Sequence, residues 1–289
     1  MPTTESRTYL PVFTKYHGGT ILNMKMGAVF RAMFVLAAIP VAGQVTAGIH
    51  LVDVRFNGDT RLDGVDLKKC ATDLRSQIYA GPQWTDYLVE RVLTLCLLNK
   101  GYFKAVVKAS TQQLPDKHST HQFVVTFDID SGPQYQLGEI TFKNNHAISN
   151  LKHLRDLFLI KDGDIFDPSA IVKGLDNLRY VYEEYGYINF TSVPTTTFDD
   201  EKKLGYLEVY MDEGKQFYVS SIDIVGADPQ VLNDLLLTPG HVYNVRFVDL
   251  FLRRHLPGAD VNDPRILQRT LDEPNGTVAL TFDFRKWPE

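Results

Sequence analysis

Leu137-Gly-Glu-Ile-Thr-Phe-Lys-Asn-Asn145 opens a stretch that runs from Gln136 to Phe217. Apolar and polar residues alternate along it and then give way to turn formers, as in a strand with one buried face. An apolar helix-like run follows at Leu151, Leu154, Leu157 and Phe158. Asp162-Gly-Asp-Ile-Phe-Asp-Pro168 then leads into a long amphipathic segment. There Ile171, Leu175, Leu178, Val181 or Tyr182, and Tyr185 recur at helical spacing. Asp167-Pro168 suits the start of that helix, and Gly186 suits its end. Two further alternating runs, Tyr187–Thr197 and Tyr206–Asp212, flank a polar tip at 199–203. The order is β-α-α-β-β.

The same unit recurs on both sides. Asp130-Ser-Gly-Pro-Gln-Tyr135 aligns with Asp212-Glu-Gly-Lys-Gln-Phe217 at an offset of 82 residues, the difference between 212 and 130. Three strand openings superpose, at Val54–Gly58, Ile140–Asn144 and Ile222–Gly226. Three closing strands alternate alike: Phe123, Val125, Phe127 and Ile129; Leu207, Val209 and Met211; Val278, Leu280, Phe282 and Phe284. So long a period indicates beads with separate small cores. The divisions expected are a leader at 1–47 and three units at 48–132, 133–215 and 216–289.

These motifs resemble the POTRA domain, the polypeptide-transport-associated module of outer-membrane protein assembly and surface antigen factors. The resemblance covers about residues 49–289 and rests on an ordered set: a strand ending in Gly or Asn, Gly-x-x-aromatic, a helix, Gly-Tyr, and a hairpin ending in Glu-Gly. Two departures stand out. Asn144 occupies a usual glycine position, which asparagine tolerates because it accepts left-handed backbone. Pro257-Gly258 replaces the Gly-Tyr of 101–102 and 186–187. The resemblance implies an α+β fold of three tandem POTRA-like domains, each a three-stranded mixed sheet covered by two helices. It further implies the sheet order 1-3-2, with strand two at an edge.

Composition is that of an ordinary globular chain. It has 289 residues, a net charge of −5 and a pI near 5.9, which argue against nucleic acid as the partner. At the N-terminus, a basic start at 24–31, an apolar run at 32–42 and small residues at Val45-Thr-Ala47 form the three parts of a secretory signal. Translation is expected to begin at Met24 or Met26. After Glu289 no sequence remains for a β-barrel, so the expectation is a stand-alone periplasmic scaffold or a fragment whose barrel lies on another chain. In an oxidising compartment Cys70 and Cys96, on the two helices of the first unit, can pair. The other reading is two buried thiols behaving as small apolar residues.

The sequence carries no nucleophile–base pattern, phosphate loop or metal motif. His118 and His121 lie in a polar loop with no carboxylate or thiol in pattern, and read as solvated. No enzyme, cofactor, metal or small-molecule substrate is expected. By resemblance the chain is a non-enzymatic periplasmic scaffold, exported and associated with the outer membrane through a partner. It would act in assembly, insertion or secretion of β-barrel proteins. Its partners would be a barrel protein or unfolded barrel precursors, held by strand addition to an edge. The edge residues expected to bind are Tyr187, Ile188, Asn189, Phe190 and Thr191, with Phe103, Ala105 and Val107 in the first unit; a third candidate edge is Arg265–Leu271. The alternatives are an adaptor docked on a separate membrane protein and a membrane-anchored POTRA protein of the cell-division type.

Overall fold

The structure is a computed structural model that describes residues 49–63, 65–72, 74, 86–115 and 121–286. The secretory signal and His118 lie outside the described residues. Among those described, no helix is long and apolar enough to cross a membrane.

Three repeats follow one another. The first holds β1 (Ile49–Gly58), α1 (Leu67–Cys70), α2 (Asp86–Leu98), β2 (Val106–Gln113) and β3 (His121–Asp130). The second holds β4 (Gln136–Lys143), α3 (Leu151–Asp156), α4 (Pro168–Glu184), β5 (Thr191–Asp199) and β6 (Leu204–Asp212). The third holds β7 (Tyr218–Val225), a 3-10 turn at Pro229–Asp234, α5 (Val245–His255), β8 (Leu267–Asp272) and β9 (Thr277–Asp283). In each sheet the last strand is central. It pairs parallel with the first strand and antiparallel with the second, giving β1-β3-β2, β4-β6-β5 and β7-β9-β8. The chain forms two compact bodies, one closing at Gln134 and one running Tyr135–Glu289 that contains the second and third repeats.

Local chemistry explains the elements. The Asp167 carboxylate accepts a hydrogen bond from Ser169 N at 2.8 Å and caps α4, with Pro168 in its first turn. Ile171, Leu175, Leu178 and Tyr182 are buried along one stripe of that helix. In the first repeat Asp66 caps α1, which spans a single turn. A helix that short does not hold itself in water. The structure joins Cys70 to Cys96 on α2, their Cα atoms 5.9 Å apart, and buries Leu67, Ala71 and Leu74 beside them. Asn144 adopts φ +63°, the left-handed conformation that its position in the repeat demands.

The backbone departs from expectation at the entry to the edge strands. Tyr187–Phe190 form a turn, not the start of a strand. Tyr187 N donates to Tyr182 O at 3.0 Å and Phe190 N to Tyr187 O at 3.1 Å, so the chain is still folding back on the helix end. The apolar alternation that reads as a strand serves two cores instead. Phe190 stacks on Tyr182 with ring centroids 4.0 Å apart, whereas Ile188 packs against the core of the third repeat. Phe103 and Ala105 likewise precede β2, with Ala105 N donating to Tyr102 O at 3.3 Å. Of the first-repeat candidates only Val107 lies on the strand. The third edge begins at Leu267, because Asp263 holds Arg265 by its backbone N and its guanidinium in the preceding turn.

Candidate partner-binding edges

An edge strand binds another chain through the backbone groups that point away from its own sheet. In an antiparallel pair these alternate with the groups used by the ladder, so one known bond fixes the set. On β5, Pro194 lies opposite Val209. Proline has no N–H and cannot sit in a hydrogen-bonded pair. The ladder therefore runs through Val193 and Thr195, and Ser192, Pro194, Thr196 and Phe198 direct their backbone groups outward. On β2, Leu114 N donates to Gln122 O at 2.8 Å, which places Val107, Ala109, Thr111 and Gln113 in the outward row. On β8, Asp283 N donates to Ile266 O at 2.8 Å, which leaves Leu267, Arg269 and Leu271 outward.

The three rows differ at one equivalent position, the fourth residue counted from the partner of Asp130, Asp212 or Asp283. That residue is Ala109, Pro194 or Arg269. Ala109 N donates to Glu90 Oε1 at 2.8 Å, so a carboxylate from α2 occupies the place of an incoming carbonyl. Pro194 has no donor to offer. Arg269 turns its side chain inward, donating from Nε to Tyr243 Oη at 3.0 Å and from Nη2 to Val261 O at 2.9 Å. On the same row Leu267 N is already bonded to Asp263 O at 3.0 Å. β5 is rich in hydroxyls, and the Val193 and Tyr210 side chains, paired across β5 and β6, stand exposed on the open face of the sheet.

Between the second and third repeats the chain is bound closely. Phe217 N donates to Gly186 O at 2.9 Å, Gln216 Nε2 to Tyr185 O at 2.9 Å and Asn244 Nδ2 to Glu184 O at 2.8 Å. Asn189, one of the expected edge residues, donates instead to Glu273 in the β8–β9 turn. Gly186 has φ +85°, and a Cβ there would lie 2.7 Å from Val242 Cγ1, so both conformation and space call for glycine. Glu183 is buried at this joint. Burial holds its carboxyl above the usual carboxylate range, with the Arg269 and Arg179 charges pulling the other way.

The Glu-Gly at the end of the hairpin has a physical role too. Glu213 accepts from Ala147 N at 3.0 Å and from Tyr182 Oη at 2.8 Å, tying the loop after β4 to the end of α4. Burial, followed by the Glu213 carboxylate, pushes the Tyr182 hydroxyl well above its ordinary value. In the first repeat the tie runs the other way: Asp59 accepts from Ser131 N at 2.9 Å and from Ser131 Oγ at 2.8 Å. No group of three or more His, Cys, Asp or Glu arranged for a metal occurs among the described residues.

Comparison with known proteins agrees with this fold. A POTRA family profile, described as a surface antigen variable number repeat, matches residues 135–214. The fold matches the crystal structure of Haemophilus influenzae BamA POTRA3-5 at a TM-score of 0.60 and 20% identity, covering 84% of this chain and 99% of that one. The chain has the fold of a tandem of POTRA domains. Its second repeat is the one the family profile matches. Among curated proteins it is similar to the outer membrane protein assembly factor BamA of Buchnera aphidicola, at 20% identity over 218 residues, which cover 74% of this chain. It is also similar to a Treponema pallidum protein named as an outer membrane protein assembly factor, at 27% identity over 152 residues and 50% of the chain. The matches span 35% and 18% of those relatives' own lengths.

Proposed function

We propose that this chain is a non-enzymatic scaffold on the periplasmic side of the outer membrane. It assists assembly, insertion or secretion of β-barrel proteins and holds an extended client or partner strand at a sheet edge. The observation that carries this reading is the strand order. It places a hydroxyl-rich strand, β5, at the rim of a POTRA sheet with the Ser192, Pro194 and Thr196 carbonyls directed outward. The names of the curated relatives support the assembly context. The Cys70–Cys96 bond supports an oxidising compartment. Pairing through backbone recognises extended conformation more than side-chain identity, which suits weak handling of many precursors.

The residues proposed to bind are Thr191 and Ser192 through Thr196; β2, with Val107, is a second edge, whose Ala109 donor is held by Glu90. Ser192→Pro is the direct test. It removes an outward N–H and leaves the ladder to β6 whole, so the second repeat stays folded. Binding of an unfolded barrel precursor to the purified chain, measured by fluorescence anisotropy, is expected to weaken several-fold. Unchanged affinity with an intact fold rejects β5 as the edge.

A further inference from the structure

We propose that Glu90 is a guard that closes the first POTRA sheet to strand addition, so that removing it turns β2 into an accepting edge. The inference rests on the edge-pairing reading and adds to it a device that decides which edge is open.

The geometry is specific. Ala109 belongs to the outward row of β2, at the position equivalent to Pro194 of β5. An extended chain added to β2 would place a carbonyl oxygen about 2.9 Å from that N–H. Glu90 Oε1 already sits 2.8 Å from it. The carboxylate is carried by α2, which Cys96 on the same helix joins to Cys70 of α1, so the guard rides on a braced element. Two repeats thus close the same outward donor by unrelated chemistry. One occupies the N–H with a charge-assisted bond, and the other has no N–H at all. They differ in kind: Pro194 withholds one donor and leaves the outward carbonyls of β5 in place, whereas Glu90 fills a donor that is present. Proline is permanent, whereas a side-chain guard can swing away. The occupant admitted on opening is an extended polypeptide with apolar residues at alternate positions. Its inward side chains would extend the apolar layer formed by Val107 and its neighbours, and a helix or a folded surface cannot supply that spacing.

The test uses the full chain with Cys70 and Cys96 oxidised. The probe is a short fluorescein-labelled peptide of alternating threonine and valine with a lysine at each end. Ala109 amide exchange is followed in parallel. Glu90→Ala is expected to speed exchange at Ala109 about tenfold, the worth of a charge-assisted bond, and to tighten peptide binding several-fold. Glu90→Asp keeps the charge but withdraws the carboxylate by one methylene, and should behave like Glu90→Ala; it serves if the alanine variant folds poorly. Glu90→Gln retains an acceptor oxygen at the same reach and should stay close to the parent. Faster Ala109 exchange without tighter binding overturns the proposal, and so does unchanged exchange. Ser192→Pro in the same assay keeps the two ideas apart. Loss of binding there alongside no effect at Glu90 leaves the β5 reading standing and removes the guard.

Discussion

The second and third repeats bury the same two aromatic rings but exchange their hydroxyl. In the second, Tyr135 and Phe166 are fully buried and joined by Phe166 N donating to Tyr135 O at 3.0 Å. In the third, Phe217 and Tyr243 occupy the same places, with Tyr243 N donating to Phe217 O at 2.9 Å. The backbone link is common, so the fold needs two rings there and not a particular pair. The hydroxyl decides what the slot is connected to. Tyr135 Oη reaches Asp200 at the tip of its own hairpin, 2.5 Å away. Tyr243 Oη receives Arg269, whose charge also faces Glu183 of the preceding repeat. Among the described residues, the hydroxyl of one slot bonds within its own repeat and that of the other looks across the joint. Burial pushes the Tyr243 hydroxyl up to about 12, with the Arg269 charge opposing the rise.

The comparison can be broken most severely at the rings. Phe166→Ala should cost about 3–5 kcal/mol, read as lost amide protection in β6, because Phe166 fills the space above Gly205, where a Cβ would come within 2.6 Å of its ring. Next comes the charge at the joint. Arg269→Met removes the donor to the Tyr243 hydroxyl and one of the two cations acting on Glu183, and should cost about 2 kcal/mol, seen as earlier urea unfolding of the third repeat. Moving the hydroxyls separates the two slots. Tyr243→Phe should cost roughly 1 kcal/mol and loosen amide protection on both sides of the joint. Tyr135→Phe should cost less and stay confined to the second repeat.

The smallest effect is a change of slope with pH. Glu183 has a folded pKa above its ordinary 4.5, so the folded chain binds more protons than the unfolded one between those values. Stability therefore falls as pH rises through that interval, and the cost persists at neutral pH. Glu183→Gln should flatten the fall in urea midpoints measured from acid to neutral pH. A variant as steep as the parent shows that Glu183 is solvated at the joint.

How much of this was legible in the sequence follows from which signals repeat. The strand–helix order and the three cores show as alternation and helical spacing at a fixed offset, and Asn144 announced its left-handed turn. The sheet order came from the resemblance, since periodicity cannot say which strand is central. The edge residues were only partly readable. Tyr187–Phe190 alternate like a strand because one ring packs back on α4 while its neighbour packs forward on the third repeat, and a one-dimensional pattern does not separate two cores. The missing donor at Pro194 was readable, since proline lacks an N–H in any setting. Glu90 was not, because an acidic residue on a helix looks like any solvated face until a strand edge lies beside it. The hydroxyl exchange needed the two slots superposed before Tyr243 could be told from an ordinary core tyrosine.

The strand order also has a consequence in time. In every repeat the central strand is the last one the ribosome makes. Its two neighbours have no contact with each other in the sheet until it arrives, so a partly made repeat exposes two unpaired strands and gains no ladder. Each repeat must therefore wait for its own final residues before it closes. Removing the last strand of any one of them should leave no partial sheet behind.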